Sequence, residues 1–209
     1  MSCSALLSKS LVCAHRAWQA TQAFIPLVEC RRVRISFDID DTLACLPHHS
    51  AAEPNTLPDC LHRWLGEPLR AGTRELIREL RRQDCSVWVY TSSGRTPAYI
   101  RRWLMLYGIH VDGVVNSARH DRVIAERGLR NAPSKLPRAF DIDLHVDDSE
   151  GVGQEGHDHG FRVVVVQPDD QRWAQRVLDA VADVQMQLAR QQPHRFKTPA
   201  RQAVGIYST

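Results

Sequence analysis

Two groups of aspartates, far apart in the chain, each follow a short apolar run. They are Asp38, Asp40 and Asp41 after residues 33–37, and Asp147 and Asp148 after residues 142–146. Apolar runs of this length, rich in β-branched residues, predict buried strands. Ligands of open parallel sheets bind beyond the carboxyl ends of the strands. If both strands belong to one sheet, the aspartates therefore converge on one point.

The rest of the chain alternates similar apolar runs with amphipathic stretches, which predicts an α/β fold. We expect a Rossmann-like parallel sheet of about five strands with helices on both faces. The predicted strands are residues 33–38, 86–91, 110–116, 142–146 and 162–166. The predicted helices are residues 70–83, 96–107, 119–127, a short one after the fourth strand, and 170–190. Thr73 is the expected N-cap of the first helix, and Pro97 the first residue of the second.

The composition along the chain predicts three regions. Residues 1–32 form an N-terminal extension, residues 33–190 the α/β domain, and residues 191–209 a disordered basic tail. Between Thr42 and the helix at residue 70 lie 27 residues, 43–69, with four prolines. That length suits a short flap and is too small for a helical cap domain. We therefore expect an open site without a large cap.

The charge distribution bears on the choice of partner. The net charge is +3, yet residues 1–35 and residues 187–209 each carry +4, which leaves −5 for the middle. The basic ends leave a nucleic-acid contact open, although no motif supports one. No apolar run approaches the ~18 residues of a membrane span. The sequence predicts a cytoplasmic protein with no membrane partner and does not indicate an oligomeric state.

Converging carboxylates repel one another, and a hard divalent cation relieves that repulsion. Mg²⁺ with a phosphate is the usual occupant of such a site. A calcium-binding EF-hand loop that began at Asp38 would need Gly at its sixth place and Glu at its twelfth. Those places hold Leu43 and His49. The motif therefore favours magnesium and phosphoryl chemistry over a calcium loop.

Other polar residues stand near the ends of the remaining strands. Thr91 closes the second predicted strand and is followed by Ser92 and Ser93, hydroxyls suited to phosphoryl oxygens. Lys135 is one of only three lysines among 27 basic residues and precedes the fourth strand. An ammonium there can balance negative charge that develops during a reaction.

This ordered set resembles the haloacid dehalogenase (HAD) superfamily of hydrolases. The set consists of the Asp-x-Asp-x-Thr run at residues 38–42, then Thr91, Lys135 and the Asp147-Asp148 pair. The resemblance spans residues 33–166 and is strongest to capless, phosphatase-like, uncharacterised bacterial members. Members that act as dehalogenases lack the second aspartate of the first motif, so Asp40 puts the chain on the phosphatase side.

The resemblance implies a role for each matching residue. Asp38 would be the nucleophile and a Mg²⁺ ligand, and Asp40 the acid/base, with its backbone carbonyl also touching the metal. Thr91 would bind the phosphoryl group, and Lys135 would brace Asp38. Asp147 would hold the metal, supported by Asp148. Thr42, Ser92 and Ser93 are the further candidates for substrate binding.

The predicted function is a Mg²⁺-dependent phosphohydrolase that acts through an aspartyl-phosphate on a phosphomonoester, bulky or macromolecular. A response-regulator receiver domain also gathers carboxylates, a threonine and a lysine, but it has no acidic pair after the lysine. The alternative from another class is a catalytically idle binding module for a phosphorylated or polyanionic partner.

Overall fold

A five-stranded parallel sheet forms the centre of the molecule, as predicted. The computed structural model describes residues 31–44, 51–130 and 132–191. In chain order the strands are β1 (Arg34–Phe37), β2 (Ser86–Tyr90), β3 (Gly113–Val115), β4 (Leu144–Asp147) and β5 (Val163–Val165). Their spatial order is β3-β2-β1-β4-β5, and every pairing is parallel. Almost all of the predicted N-terminal extension and basic tail lies outside the described residues.

The position of β1 explains why the two aspartate groups meet. β1 is the central strand and pairs with β2 on one side and with β4 on the other. Ile35 lies opposite Leu144, and Phe37 lies opposite Val146. The residues just beyond these pairs are Asp38 and Asp147. The Asp38 amide donates to the carbonyl of Val146 at 2.8 Å, which fixes the two strand ends in register.

Six α-helices and one 3-10 helix accompany the sheet in the described part of the chain. They are α1 (Asp59–Leu65), α2 (Thr73–Arg82), α3 (Pro97–Met105), α4 (Ser117–Glu126), the 3-10 helix (Pro137–Phe140), α5 (Glu150–His159) and α6 (Trp173–Gln191). Pro97 is the first residue of α3, as expected. The prediction for Thr73 was wrong, because Gly72, with φ of 85°, is the N-cap of α2. The Thr73 hydroxyl instead donates to the carbonyl of Arg70.

The two faces of the sheet have different cores. Alternate residues of a strand point to opposite faces. In β2, Val87 and Val89 join the main core with buried residues of α2, α3 and α6. Tyr90 joins a smaller cluster with Val115 and two residues around the 3-10 helix. The two clusters therefore lie on opposite faces of the sheet.

The flap is a short excursion from the sheet. It leaves at Ala44 and returns at Leu69, and these two residues form a backbone bridge. The Arg70 amide also donates to the carbonyl of Leu43 at 2.7 Å. Between these points the described part of the flap contains only α1 and extended chain, and no large cap is present there. The described helices also include none that is long and apolar enough to span a membrane.

Candidate active site

Two carboxylates and one ammonium form the centre of the candidate site. Asp38 follows β1, Asp147 ends β4, and Lys135 comes from the loop before the 3-10 helix. Lys135 Nζ lies 2.6 Å from Asp38 Oδ1 and 3.7 Å from Asp147 Oδ2. Only 8% of Asp38, 3% of Lys135 and 2% of Asp147 is exposed. The sequence predicted all three residues for one site, and the fold brings them into contact.

Tyr90 holds the loop that carries Lys135. The Tyr90 carbonyl accepts a hydrogen bond from Lys135 Nζ at 3.2 Å, and the ammonium lies 5.3 Å from the centre of the ring. The Tyr90 hydroxyl accepts from the Leu136 amide at 2.8 Å and pairs with His120 Nδ1 at 2.5 Å. One tyrosine therefore contacts Lys135 directly and fixes the backbone next to it.

A buried polar chain lies beneath Asp147. His145 Nε2 is 3.0 Å from Asp147 Oδ2, and His145 Nδ1 is 2.8 Å from the Ser36 hydroxyl. With a proton on Nε2, the imidazole donates to the carboxylate and accepts from the serine. Asp147 Oδ1 also accepts from the Ser149 amide at 3.0 Å. Both oxygens of Asp147 are thus held, and its orientation is fixed.

The pKa values of Asp38 and Asp147 are shifted in opposite directions. Burial raises the pKa of Asp38, and the nearby Asp147 adds to the rise, although the charge of Lys135 opposes it. Burial also acts to raise the pKa of Asp147, but the hydrogen bonds from His145 and the Ser149 amide and the charge of Lys135 act against it. The pKa of Asp147 is therefore lowered. Of these two carboxylates, Asp38 is the one whose ionised form the site disfavours.

Asp148 adds further negative charge to the same edge of the sheet. Burial raises its pKa, and the neighbouring carboxylates of Asp147, Asp38 and Asp41 raise it further. Its Oδ1 accepts weakly from the Thr42 hydroxyl at 3.4 Å. Four aspartates therefore interact around one lysine. This surplus of negative charge favours an additional cation.

The donor atoms suit Mg²⁺ and do not form a complete metal site alone. Among the residues that the structure describes, no three His, Cys, Asp or Glu side chains are grouped to hold a metal ion. Mg²⁺ is usually bound by one or two carboxylates, several waters and the phosphate of a substrate. Within the same residues, Asp38 Oδ2 accepts no hydrogen bond, so it is available as a ligand. Asp38 and Asp147 are the two side chains that fit this role.

The remaining candidates from the sequence do not contact this centre directly. Thr91 is buried, and its hydroxyl donates to Ser93 Oγ at 3.2 Å and accepts from the Ser93 amide at 3.1 Å. Ser92 is exposed. Asp40 directs its carboxylate to Arg95, with N–O distances of 2.9 and 2.7 Å. The roles of Thr91, Ser92, Ser93 and Asp40 toward a substrate stay predictions.

Sequence reasoning missed several residues that build the site. The predicted site residues did not include Tyr90, Ser36, His145, Arg95 or Glu67. Ser36 and His145 stand two residues before Asp38 and Asp147, and residues two apart in a strand share a face. Polar residues inside otherwise apolar strands were the available signal. Arg95 and Glu67 become visible only in the folded chain.

Replacing Tyr90 by Phe is expected to lower the free energy of unfolding at pH 7 by about 1–2 kcal/mol, because the Leu136 amide loses its acceptor. Burial raises the pKa of Tyr90, so the folded wild type keeps the phenol protonated after the unfolded chain ionises near pH 10. The wild type thus loses stability above pH 10, whereas the variant lacks that loss. Urea unfolding should show that the difference in the free energy of unfolding between the two proteins is smaller at pH 11 than at pH 7. A larger difference at pH 11 would contradict this prediction.

Comparison with known proteins finds matches among solved structures alone. No family model matches the sequence, and no curated protein matches it significantly. Four chains among the solved structures match. One is a predicted HAD-like family hydrolase from Porphyromonas gingivalis, which is 14% identical to this chain. The match covers 77% of this chain and 99% of the other, with a TM-score of 0.37.

Proposed function

We propose that this protein is a Mg²⁺-dependent phosphomonoester hydrolase in which Asp38 forms an aspartyl-phosphate. The observation that carries the proposal is the 2.6 Å contact between Lys135 and Asp38, with Asp147 on the other side of the same ammonium. A carboxylate held this way has one oxygen fixed by a cation and the other available. That arrangement suits a nucleophile that attacks phosphorus.

The chemistry divides into two balanced steps. In the first, Asp38 Oδ2 forms a bond to phosphorus, the ester P–O bond breaks, and Asp40 gives its proton to the leaving oxygen. In the second, water attacks phosphorus, the bond to Asp38 breaks, and Asp40 takes a proton from the water. Inorganic phosphate leaves, and both aspartates return to their starting states.

The other residues support this chemistry through charge and orientation. Lys135 lowers the pKa of Asp38 against the effect of burial and offers a positive charge to the phosphoryl oxygens. Mg²⁺ held by Asp38 and Asp147 would supply the charge neutralisation that the four aspartates call for. The Ser36–His145 chain keeps Asp147 in a fixed orientation.

The short flap bears on the class of substrate. The described flap residues include one helix of two turns, and Trp64 on it is 82% exposed. A site without a large cap can admit bulky phosphoesters, and the substrate itself then has to exclude water. We therefore propose a large or macromolecular phosphomonoester as the natural substrate.

The proposal is tested by phosphate release from p-nitrophenyl phosphate in Mg²⁺ and in EDTA. We expect release in Mg²⁺ and loss of at least about a hundredfold in EDTA, because the aspartate cluster then lacks its neutralising cation. Equal release in both conditions would overturn the role of the metal. If the protein releases no phosphate and calorimetry detects no Mg²⁺ binding, the result would favour the binding-module alternative instead.

A further inference from the structure

Arg95 forms a double bridge between Asp40 and the flap. Its Nη1 and Nη2 donate to the two carboxylate oxygens of Asp40 at 2.9 and 2.7 Å. Its Nε and Nη2 donate to the two oxygens of Glu67 at 2.9 and 2.8 Å. Four hydrogen bonds thus use the planar fork of one guanidinium in two bidentate pairs. Such pairs fix the geometry of the carboxylate as well as its charge.

Glu67 is itself held by the aromatic residues of α3 and the turn after it. The Tyr99 hydroxyl donates to Glu67 Oε1 at 2.9 Å. The Glu67 carbonyl accepts from Trp103 Nε1 at 2.7 Å and from the Tyr107 hydroxyl at 3.1 Å. Trp103 and Tyr107 belong to the main core. Both the backbone and the side chain of Glu67 are therefore tied to the rigid part of the molecule.

The backbone of Arg95 is fixed as well. Its carbonyl accepts from Asn116 Nδ2 at 3.1 Å, and the other side-chain atom of Asn116 caps the start of α4 by accepting from the Arg119 amide. The loop after β2 is thereby attached to the start of the next helix. A continuous set of contacts runs from α3 and α4 through Arg95 to Asp40.

Asp40 is the residue that gains from this arrangement. Its side chain is 58% exposed, so without a partner it would sample several rotamers. The Asp40 end of the bridge is exposed to solvent, so its pair with Arg95 adds less to stability than a buried ion pair would. Each carboxylate oxygen has two lone pairs. Arg95 can therefore orient Asp40 through one lone pair of each oxygen, while a remaining lone pair carries the proton that goes to the leaving group.

We propose that Arg95, anchored by Glu67, is a positioning residue that orients Asp40 for proton transfer. The inference rests on the proposed function, since it requires Asp40 to be the general acid and base. Arg95 does not transfer the proton itself. It acts through Asp40. If Asp40 loses its orientation, only the steps in which Asp40 gives or takes a proton become slower.

The dependence on the leaving group separates this role from a structural one. p-Nitrophenolate leaves readily without a proton, whereas phenolate needs one. The value of kcat/KM reports the step that breaks the ester bond, in which Asp40 gives its proton to the leaving group. Asp40→Asn should therefore lower kcat/KM for phenyl phosphate much more than for p-nitrophenyl phosphate. We expect Arg95→Met to show the same bias, with a loss of kcat/KM of about 10- to 100-fold for phenyl phosphate. Loss of folded protein would lower both rates in proportion, so poor folding cannot produce this bias.

Two further variants complete the test. Arg78 pairs with Glu75 on the exposed side of α2, so Arg78→Met removes an arginine–glutamate pair far from the site and should leave both rates unchanged. The double variant Asp40→Asn with Arg95→Met should be no slower than Asp40→Asn alone, because both changes remove one function.

Arg95→Met with equal losses of kcat/KM on both substrates, or with no loss, would overturn the positioning role. That result would leave the proposed function intact as long as Asp38→Asn abolishes phosphate release. If Asp38→Asn stays active, the proposed function falls, and the role of Arg95 falls with it.

Discussion

Replacement of Asp38 by Asn should abolish phosphate release and leave the protein folded. The amide cannot attack phosphorus, so we expect kcat to fall by roughly 10⁴-fold or more. Burial raises the pKa of Asp38, which means that its ionised form costs stability in the fold. Asn removes that cost, while Lys135 loses one hydrogen bond and keeps its contacts with Tyr90 and Asp147. The free energy of unfolding should stay within about 1 kcal/mol of the wild type.

The measurement combines steady-state phosphate release with acid-quenched mass spectrometry. The wild type should carry a phosphoryl group on the peptide that contains Asp38, and the variant should carry none. Asp179→Asn is the matched control, because Asp179 is an exposed aspartate on α6 and should change neither rate nor stability. A phosphoryl group on another residue of the wild type would show that Asp38 is not the nucleophile.

Replacement of Lys135 by Met should damage both activity and stability. The variant leaves Asp38 and Asp147 buried without their common cation, and removing one partner of a buried ion pair costs about 3–5 kcal/mol. The charge offered to the phosphoryl group is lost too, so kcat should fall by about 10²- to 10³-fold. Asp38→Asn and Lys135→Met thus differ in stability although both lose activity.

The stability loss in Lys135→Met should depend on pH with a definite sign. The charge of Lys135 lowers the pKa of both carboxylates, so without it both pKa values in the folded protein rise. A carboxyl whose folded pKa lies above its unfolded value near 3.8 loses stability as the pH rises between the two. The loss in the free energy of unfolding relative to the wild type should therefore be larger at pH 7 than at pH 4.5, and urea unfolding at the two pH values measures it.

Arg138→Met is the matched control for this variant. Arg138 is an exposed cation three residues further along, in the 3-10 helix, and its replacement should leave unfolding and phosphate release unchanged. A Lys135→Met protein as stable as the wild type at pH 7 would show that the two carboxylates do not depend on this ammonium.

The fold could be predicted because its strands are buried on both faces. Such strands are nearly continuous apolar runs, and all five were found. The bounds were less accurate where a strand joins a turn. The third strand was expected over residues 110–116 and spans only Gly113–Val115. Asp112 explains part of the later start of this strand. Its carboxylate accepts hydrogen bonds from Arg81, Ser86 and the Val87 amide, so it belongs to the connection that leads into β3.

The site could be predicted only as far as residue type and strand ends allow. Asp38 and Asp147 were expected together because parallel strands end at one edge. Lys135 precedes the fourth strand and was assigned to the site from the resemblance to the HAD superfamily. The pairing of Asp40 with Arg95 depends on how the loop after β2 folds over β1, which no local pattern encodes. The ring of Tyr90 packs in the smaller hydrophobic cluster, as an aromatic residue of a buried strand is expected to do. Its hydroxyl matters because Leu136, 46 residues away, lies beside it.

The bridge between Ala44 and Leu69 also makes this protein a natural acceptor for grafted domains. The chain leaves the sheet and re-enters it at one point, with Leu43 and Arg70 hydrogen-bonded across the opening. The entropy of closing a loop grows only slowly with its length, by about 0.6 kcal/mol for each doubling. A folded module whose termini lie close together could therefore replace much of the excursion while the sheet keeps its register. Recognition elements for different esters could in this way be exchanged on one unchanged chemical core.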